Sequence, residues 1–132
     1  MTAAERRGLQ EVHDLSAKLV AAGDRDAYVE ANNHFHEAIY RGAHNDFLTE
    51  LTLSVRQRAA PFRRAQFETL GRLAASHAEH GRVTLAIQRA DADGAARAMQ
   101  DHLAVVRSKV DDVAFLAEDA AALSPDLPFL PD

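Results

Sequence analysis

Residues 24–42, DRDAYVEANNHFHEAIYRG, decide the fold. Apolar side chains return at Tyr28, Ala31, Phe35 and Ile39, spacings of three and four that build one stripe of an α-helix. Asp24 is suited to cap its start, because a carboxylate oxygen accepts from an otherwise unpaired amide of the first turn. Gly42 opens the break GAHN that ends it. Asn32 and His36 sit at the edge of that stripe, one turn apart and about 40° from each other at 100° per residue. Such a pair presents two ligating atoms to one ion.

The same period continues in both directions. A first helix is expected from Thr2 to Ala22, stopped by Gly23 in a left-handed cap. A third carries Leu48, Leu51, Val55 and Phe62, with a kink at Pro61, which removes a backbone donor and crowds the carbonyl a turn earlier. Thr69 is the expected cap of a fourth, whose face holds Leu73, His77, His80, Thr84 and Ile87. After ADADG comes a fifth with Met99, Leu103, Val106, Val110 and Val113, spaced four, three, four and three. Five helices without a strand pattern predict an all-α antiparallel bundle over residues 1–123. The ending SPDLPFLPD, residues 124–132, reads as an extended tail because proline disfavours helix in itself and in its predecessor.

Composition narrows the function. At 132 residues the chain is one domain, with 47% apolar and 27% charged residues. Its net charge of −5 gives no basic face for nucleic acid. The absence of cysteine removes disulfides, thiolate metal sites and cysteine nucleophiles. No apolar run reaches the roughly 18–20 residues of a membrane span, and no secretory leader is visible, so a cytoplasmic protein is expected.

Histidines carry the chemistry. His80 lies near the middle of its stripe and His102 on the flank of its own. Three neutral imidazoles and one oxygen ligand suit zinc, nickel, iron or manganese. A lone histidine on an apolar face is more often a core residue bonded to a carbonyl; three on three helices weaken that reading. His77, one turn before His80 on the same face, is a further candidate as an extra ligand, as a partner that orients a ligand, or as a wall of the site. His34 projects away from His36 and should be solvated, while His13 and His44 have no partner visible in sequence. Among the arginines of RQRAAPFRR, Arg58 lies about 50° from the centre of its apolar stripe, so it is the first candidate to grip a carboxylate. Arg56 turns further away, and Arg63 and Arg64 read as solvated.

Two phrases resemble the C-terminal effector domain of the FadR subfamily of GntR transcription regulators. ANNHFHEAIYRGAHNDFL is similar to its first signature and EHGRVTLAIQRADADGAARAMQDHL to its second. His36 and His80 are 44 residues apart, and His80 and His102 are 22 apart, spacings that resemble the family's. The resemblance implies an all-α antiparallel bundle with a central ligand or metal cavity, holding a divalent metal through an aspartate and three histidines, with a small organic acid bound against it. Carried over, the ligands are Asn32, His36, His80 and His102, with Arg58 or Arg56 at the carboxylate-gripping position. Asn45 matches the asparagine that starts the next helix. Asn32 departs from the usual aspartate; its amide oxygen can coordinate but brings no charge.

On this resemblance, the winged helix-turn-helix that normally precedes the domain, and the domain's own first helix, are expected to be missing from these 132 residues. An effector sensor, a homodimer that reaches DNA only through such a winged helix, is therefore the expected function. The rivals are a small metal-dependent enzyme, with His77 or Glu79 moving protons, and a bundle that serves only dimerisation.

Overall fold

The computed structural model describes the backbone of residues 1–122 and the side chains of residues 1–109 and of Asp111. Its helices are α1 (Ala3–Ala22), α2 (Arg25–Arg41), α3 (Asp46–Arg58), α4 (Ala60–Ala65), α5 (Arg72–Gln88) and α6 (Ala92–Ala122), with a 3-10 turn at Gln66–Glu68 between α4 and α5. There is no strand among the described residues. Short turns join α1 to α2 and α5 to α6, so each pair doubles back and packs side by side, as an antiparallel bundle requires. The tail expected at 124–132 lies outside the described residues.

Local chemistry sets the helix ends. Gly23 adopts φ 65°, and its amide closes α1 against the carbonyls of Leu19 and Val20. The Asp24 carboxylate accepts from the Ala27 amide at 3.1 Å. Asn45 caps α3 by accepting from the Leu48 amide. Two expectations shift. The third segment is two helices, because the chain breaks at Ala59 (φ −86°, ψ 0°) and Pro61 falls in the first turn of α4, where a missing amide hydrogen is tolerated. Thr69 caps nothing: its amide bonds to the Gln66 carbonyl and closes the 3-10 turn, while α5 begins after Gly71 at φ 77°.

The larger surprise is α3. Its apolar stripe faces outward, with Leu48, Leu51 and Val55 exposed by 53%, 53% and 59% and Phe62 of α4 by 50%. The polar side is the one anchored inside. Thr49 is buried and donates its hydroxyl to the Tyr40 carbonyl, and half-buried Arg56 lies against the Tyr40 ring.

The core has two apolar clusters. Leu9, Phe35 and Val83 form one, joined by Met99 and Ile87; Tyr28, Val29 and Phe67 form the other. Along α2 the second comes first and the first comes last, so the turns between them hold Asn32 and His36. The corresponding turns of α5 hold Ser76, Glu79 and His80, all buried. A polar layer is thus enclosed between two apolar ones. None of the described helices is long and apolar enough to cross a membrane.

Candidate metal centre

α2 supplies His36, α5 His80 and α6 His102 to that layer, each no more than 2% exposed. The Nε2 atom of His102 lies 3.3 Å from Nε2 of His80 and 3.3 Å from Nε2 of His36. One nitrogen from each ring falls within 4.8 Å of the others, so the three can hold a metal ion. The separation fits the group: two nitrogens each about 2.0–2.1 Å from a tetrahedral zinc stand about 3.3–3.4 Å apart.

Neighbours fix the rings. Phe35 stacks on His80 with centroids 4.0 Å apart and planes 10° from parallel. His102 Nδ1 lies 2.6 Å from Glu79 Oε2. Glu79 is in turn gripped by Arg72, with Nη1 donating to Oε1 at 2.7 Å and Nη2 to Oε2 at 2.8 Å. Arg72 Nε donates to Gln66 Oε1 at 3.0 Å. Burial raises the Glu79 pKa, but hydrogen bonds from Arg72 and His102 outweigh it and hold the carboxyl below its usual range. An ionised Glu79 accepts from His102 Nδ1–H and leaves the Nε2 lone pair aimed at the cluster.

Burial also keeps the imidazoles neutral, as metal ligands must be. His36 is driven well below its ordinary value by burial and then by the positive charge of Arg56. His80 is pushed down to about 2 by burial and then by His102. Burial lowers His102 too, although Glu79 pulls the other way.

A cavity of about 20 Å³ adjoins the cluster, lined by Asn32, His36, His102, Arg56, Arg63 and Gln66. Asn32 is 6% exposed, and its amide makes no hydrogen bond with any described residue. Arg56 reaches Tyr40 Oη at 3.4 Å and Asn33 Oδ1 at 3.5 Å, both long. Arg63 donates to the Arg56 carbonyl at 3.0 Å and to Asn33 Oδ1 at 3.4 Å, while its Nε has no partner. Burial, with Arg56 beside it, lowers Arg63 to about 10. No described carboxylate pairs with either guanidinium.

The arginine order expected from sequence is reversed. Arg58 is exposed at the end of α3 and absent from this cavity, whereas Arg56 and Arg63 line it. The apolar stripe of α3 faces solvent, so the arginine nearest its centre points outward. His77 is not in the lining either. It stacks on His13 with centroids 4.1 Å apart and meets Ser16 Oγ through Nδ1 at 2.9 Å, tying α5 to α1. His34 is exposed as expected, and His44 pairs with Glu5.

Sequence alone does not mark Arg63, Gln66 or Arg72 as parts of the site, and it offers Glu79 only as a proton carrier. Arg72 and Glu79 are seven apart, two turns on one helix face, and that spacing was the available signal. Nothing local points Glu79 at His102, 23 positions away.

The described residues form an all-helical bundle that buries three converging imidazoles beside two guanidinium groups without a carboxylate partner among the described residues. The FCD domain family matches residues 1–105, and the chain belongs to that family, the C-terminal effector-binding domain of GntR/FadR-type transcription regulators. No curated protein sequence matches it.

Proposed function

We propose that this domain senses a small mono- or dicarboxylic acid at a divalent metal, zinc first, held by His36, His80, His102 and the amide oxygen of Asn32. The observation that carries the acid is the pair Arg56 and Arg63, two half-buried cations with no carboxylate partner among the described residues, on one cavity with His36 and His102. Positive groups left unpaired in a partly dry site favour an anion, and a planar carboxylate accepts two hydrogen bonds from one guanidinium. A bound divalent ion would add positive charge and coordination positions open to the same carboxylate.

The route in is a cleft of about 440 Å³ between α2 and α4, which shares Asn32 and Arg63 with the inner cavity. That size falls in the usual range for small-molecule sites, whereas the inner 20 Å³ holds about one water. Full engagement therefore requires α4 to shift relative to α2. α4 suits the part: it is six residues long, lacks a side-chain cap and is tied to α2 by the exposed Arg64–Asp26 pair. Ligand would favour one of two packings and so change the spacing of attached DNA-binding heads.

Metal analysis after chelator-free purification, followed by melting with organic acids, tests this. Wild type should carry about one metal ion per chain and melt higher as acid concentration rises. His80→Ala should lose most of the metal while keeping its helicity. Full metal content in His36→Ala, His80→Ala and His102→Ala alike would remove the centre.

A further inference from the structure

Gln66 sits on the 3-10 turn between α4 and α5, only 3% exposed, and one end of its carboxamide is already engaged. Arg72 Nε donates to Oε1 at 3.0 Å. A guanidinium has no acceptor, so the atom that faces it is the oxygen, and the NH2 group points the other way. Those two N–H groups have no partner among the described residues, and the nitrogen is not one of the enclosed, unpaired polar atoms of the bundle. Gln66 also lines the inner cavity, three positions after Arg63 on the same helical stretch and so on the same side of it. Arg56 and Arg63 bring two positive charges to that cavity, with no carboxylate partner among the described residues. The cavity thus offers two cations and, one turn along, a pair of donors held in a fixed direction.

We propose that Gln66 is the specificity-determining residue of this site and that it selects a short dicarboxylate over a monocarboxylate, an inference that rests on the carboxylate reading above. One carboxylate takes the guanidinium groups of Arg56 and Arg63, and the second accepts from the Gln66 amide. Two arguments agree. A dianion neutralises both arginines, where a monoanion leaves one half-buried cation without a counter-charge. A methyl or methylene group placed against Gln66 strands two donors that water would otherwise serve, whereas a carboxylate oxygen accepts from them. The donor direction is set before any ligand arrives, because turning the oxygen to the cavity would leave Arg72 Nε unpaired in the core. Glu79 holds Arg72 through both Nη atoms, so two residues that are not part of the cavity wall fix the orientation.

Isothermal titration of the zinc-loaded full chain with matched acids tests the selection. Wild type should bind malonate and succinate at least about tenfold more tightly than propanoate and butanoate, the gain of a charge-assisted hydrogen bond. Gln66→Met keeps the length of the side chain without its donors. It should erase most of that preference and leave propanoate and butanoate within about twofold of wild type. Gln66→Glu keeps an oxygen for Arg72 Nε but presents an acceptor to the cavity. It should favour succinamate over succinate by at least about tenfold, the reverse of wild type, because an amide can donate where a second carboxylate is repelled. Equal binding of both classes by wild type would overturn this inference alone, whereas binding of no acid at all would take the carboxylate reading with it. A preference kept in Gln66→Met, or an equal loss of both classes there, would also overturn it, the latter by marking Gln66 as a support for Arg72 and not a ligand donor. Should Gln66→Met fail to fold, Gln66→Glu decides alone, and a retained preference for succinate refutes the assignment.

Discussion

Glu79 Oε2 lies 2.6 Å from His102 Nδ1, and both side chains are buried. That contact assigns the imidazole tautomer. An ionised carboxylate has only acceptors, so His102 must donate from Nδ1 and turn its Nε2 lone pair to the rings of His36 and His80. Arg72 holds the same carboxylate with two parallel hydrogen bonds, which keeps it charged despite burial. The orientation of one candidate ligand is therefore set by a chain that starts at Gln66 on the cavity wall.

Glu79→Gln should lower metal affinity by about 10–100-fold, the usual cost of losing an outer partner of a ligating histidine. It should also destabilise the fold by about 3 kcal/mol, because Arg72 is left buried without its counter-charge. Competition against a chelator and urea denaturation measure the two separately. Unchanged affinity would mean that His102 does not need this tautomer.

The parts of this site that were legible in sequence are those with a local period. Tyr28, Phe35, His36 and His80 follow helical spacing into the core, and Gly23, Asp24 and Asn45 mark helix ends by their own chemistry. α3 misled because periodicity says which residues share a face and not which way that face points. Its apolar side faces solvent and its polar side, with Thr49 and Arg56, faces in. Glu79 was in view but its partner was not, since a contact across 23 residues depends on how α5 and α6 pack.

Stripped of metal, the protein should lose stability as pH falls below about 6.5. His36, His80 and His102 have folded pKa values below their unfolded value of 6.5, so in that window the unfolded chain binds more protons and is favoured. One unit below 6.5, each neutral buried histidine costs up to about 1.4 kcal/mol, about 4 kcal/mol for the three. Glu79 adds to the loss further down: its stability is present above its unfolded value of 4.5 and disappears as pH falls through its lower folded pKa. Urea midpoints measured on either side of pH 6.5 check this, and equal stability there would show that the cluster accepts protons in the folded state.

Asn32→Asp should tighten metal binding by about tenfold or more, since a full negative charge replaces a neutral amide oxygen near the ion. The same carboxylate would face Arg56 and Arg63 across the small cavity and neutralise part of what draws an acid there. Metal affinity and acid affinity should therefore move in opposite directions. Isothermal titration of each measures the pair, and no change in metal affinity would place Asn32 outside the ligand set.

The arginines discriminate most sharply between sequence pattern and structure. Arg56 and Arg63 line the cavity beside His36 and His102, while Arg58 is exposed at the end of α3. If a carboxylate is gripped there, Arg63→Ala and Arg56→Ala should each weaken its binding by about tenfold or more, the loss expected for a charge-assisted hydrogen bond of 1.5–3 kcal/mol. Removing one guanidinium also relieves the repulsion between the two, which lowers the Arg63 pKa after burial. The metal-free variants should accordingly be no less stable than wild type, even as they lose the acid. Arg58→Ala should bind acid like wild type. Loss of acid binding in Arg58→Ala, with Arg56→Ala and Arg63→Ala unaffected, would put the effector on the other face of α3 and refute the site as drawn.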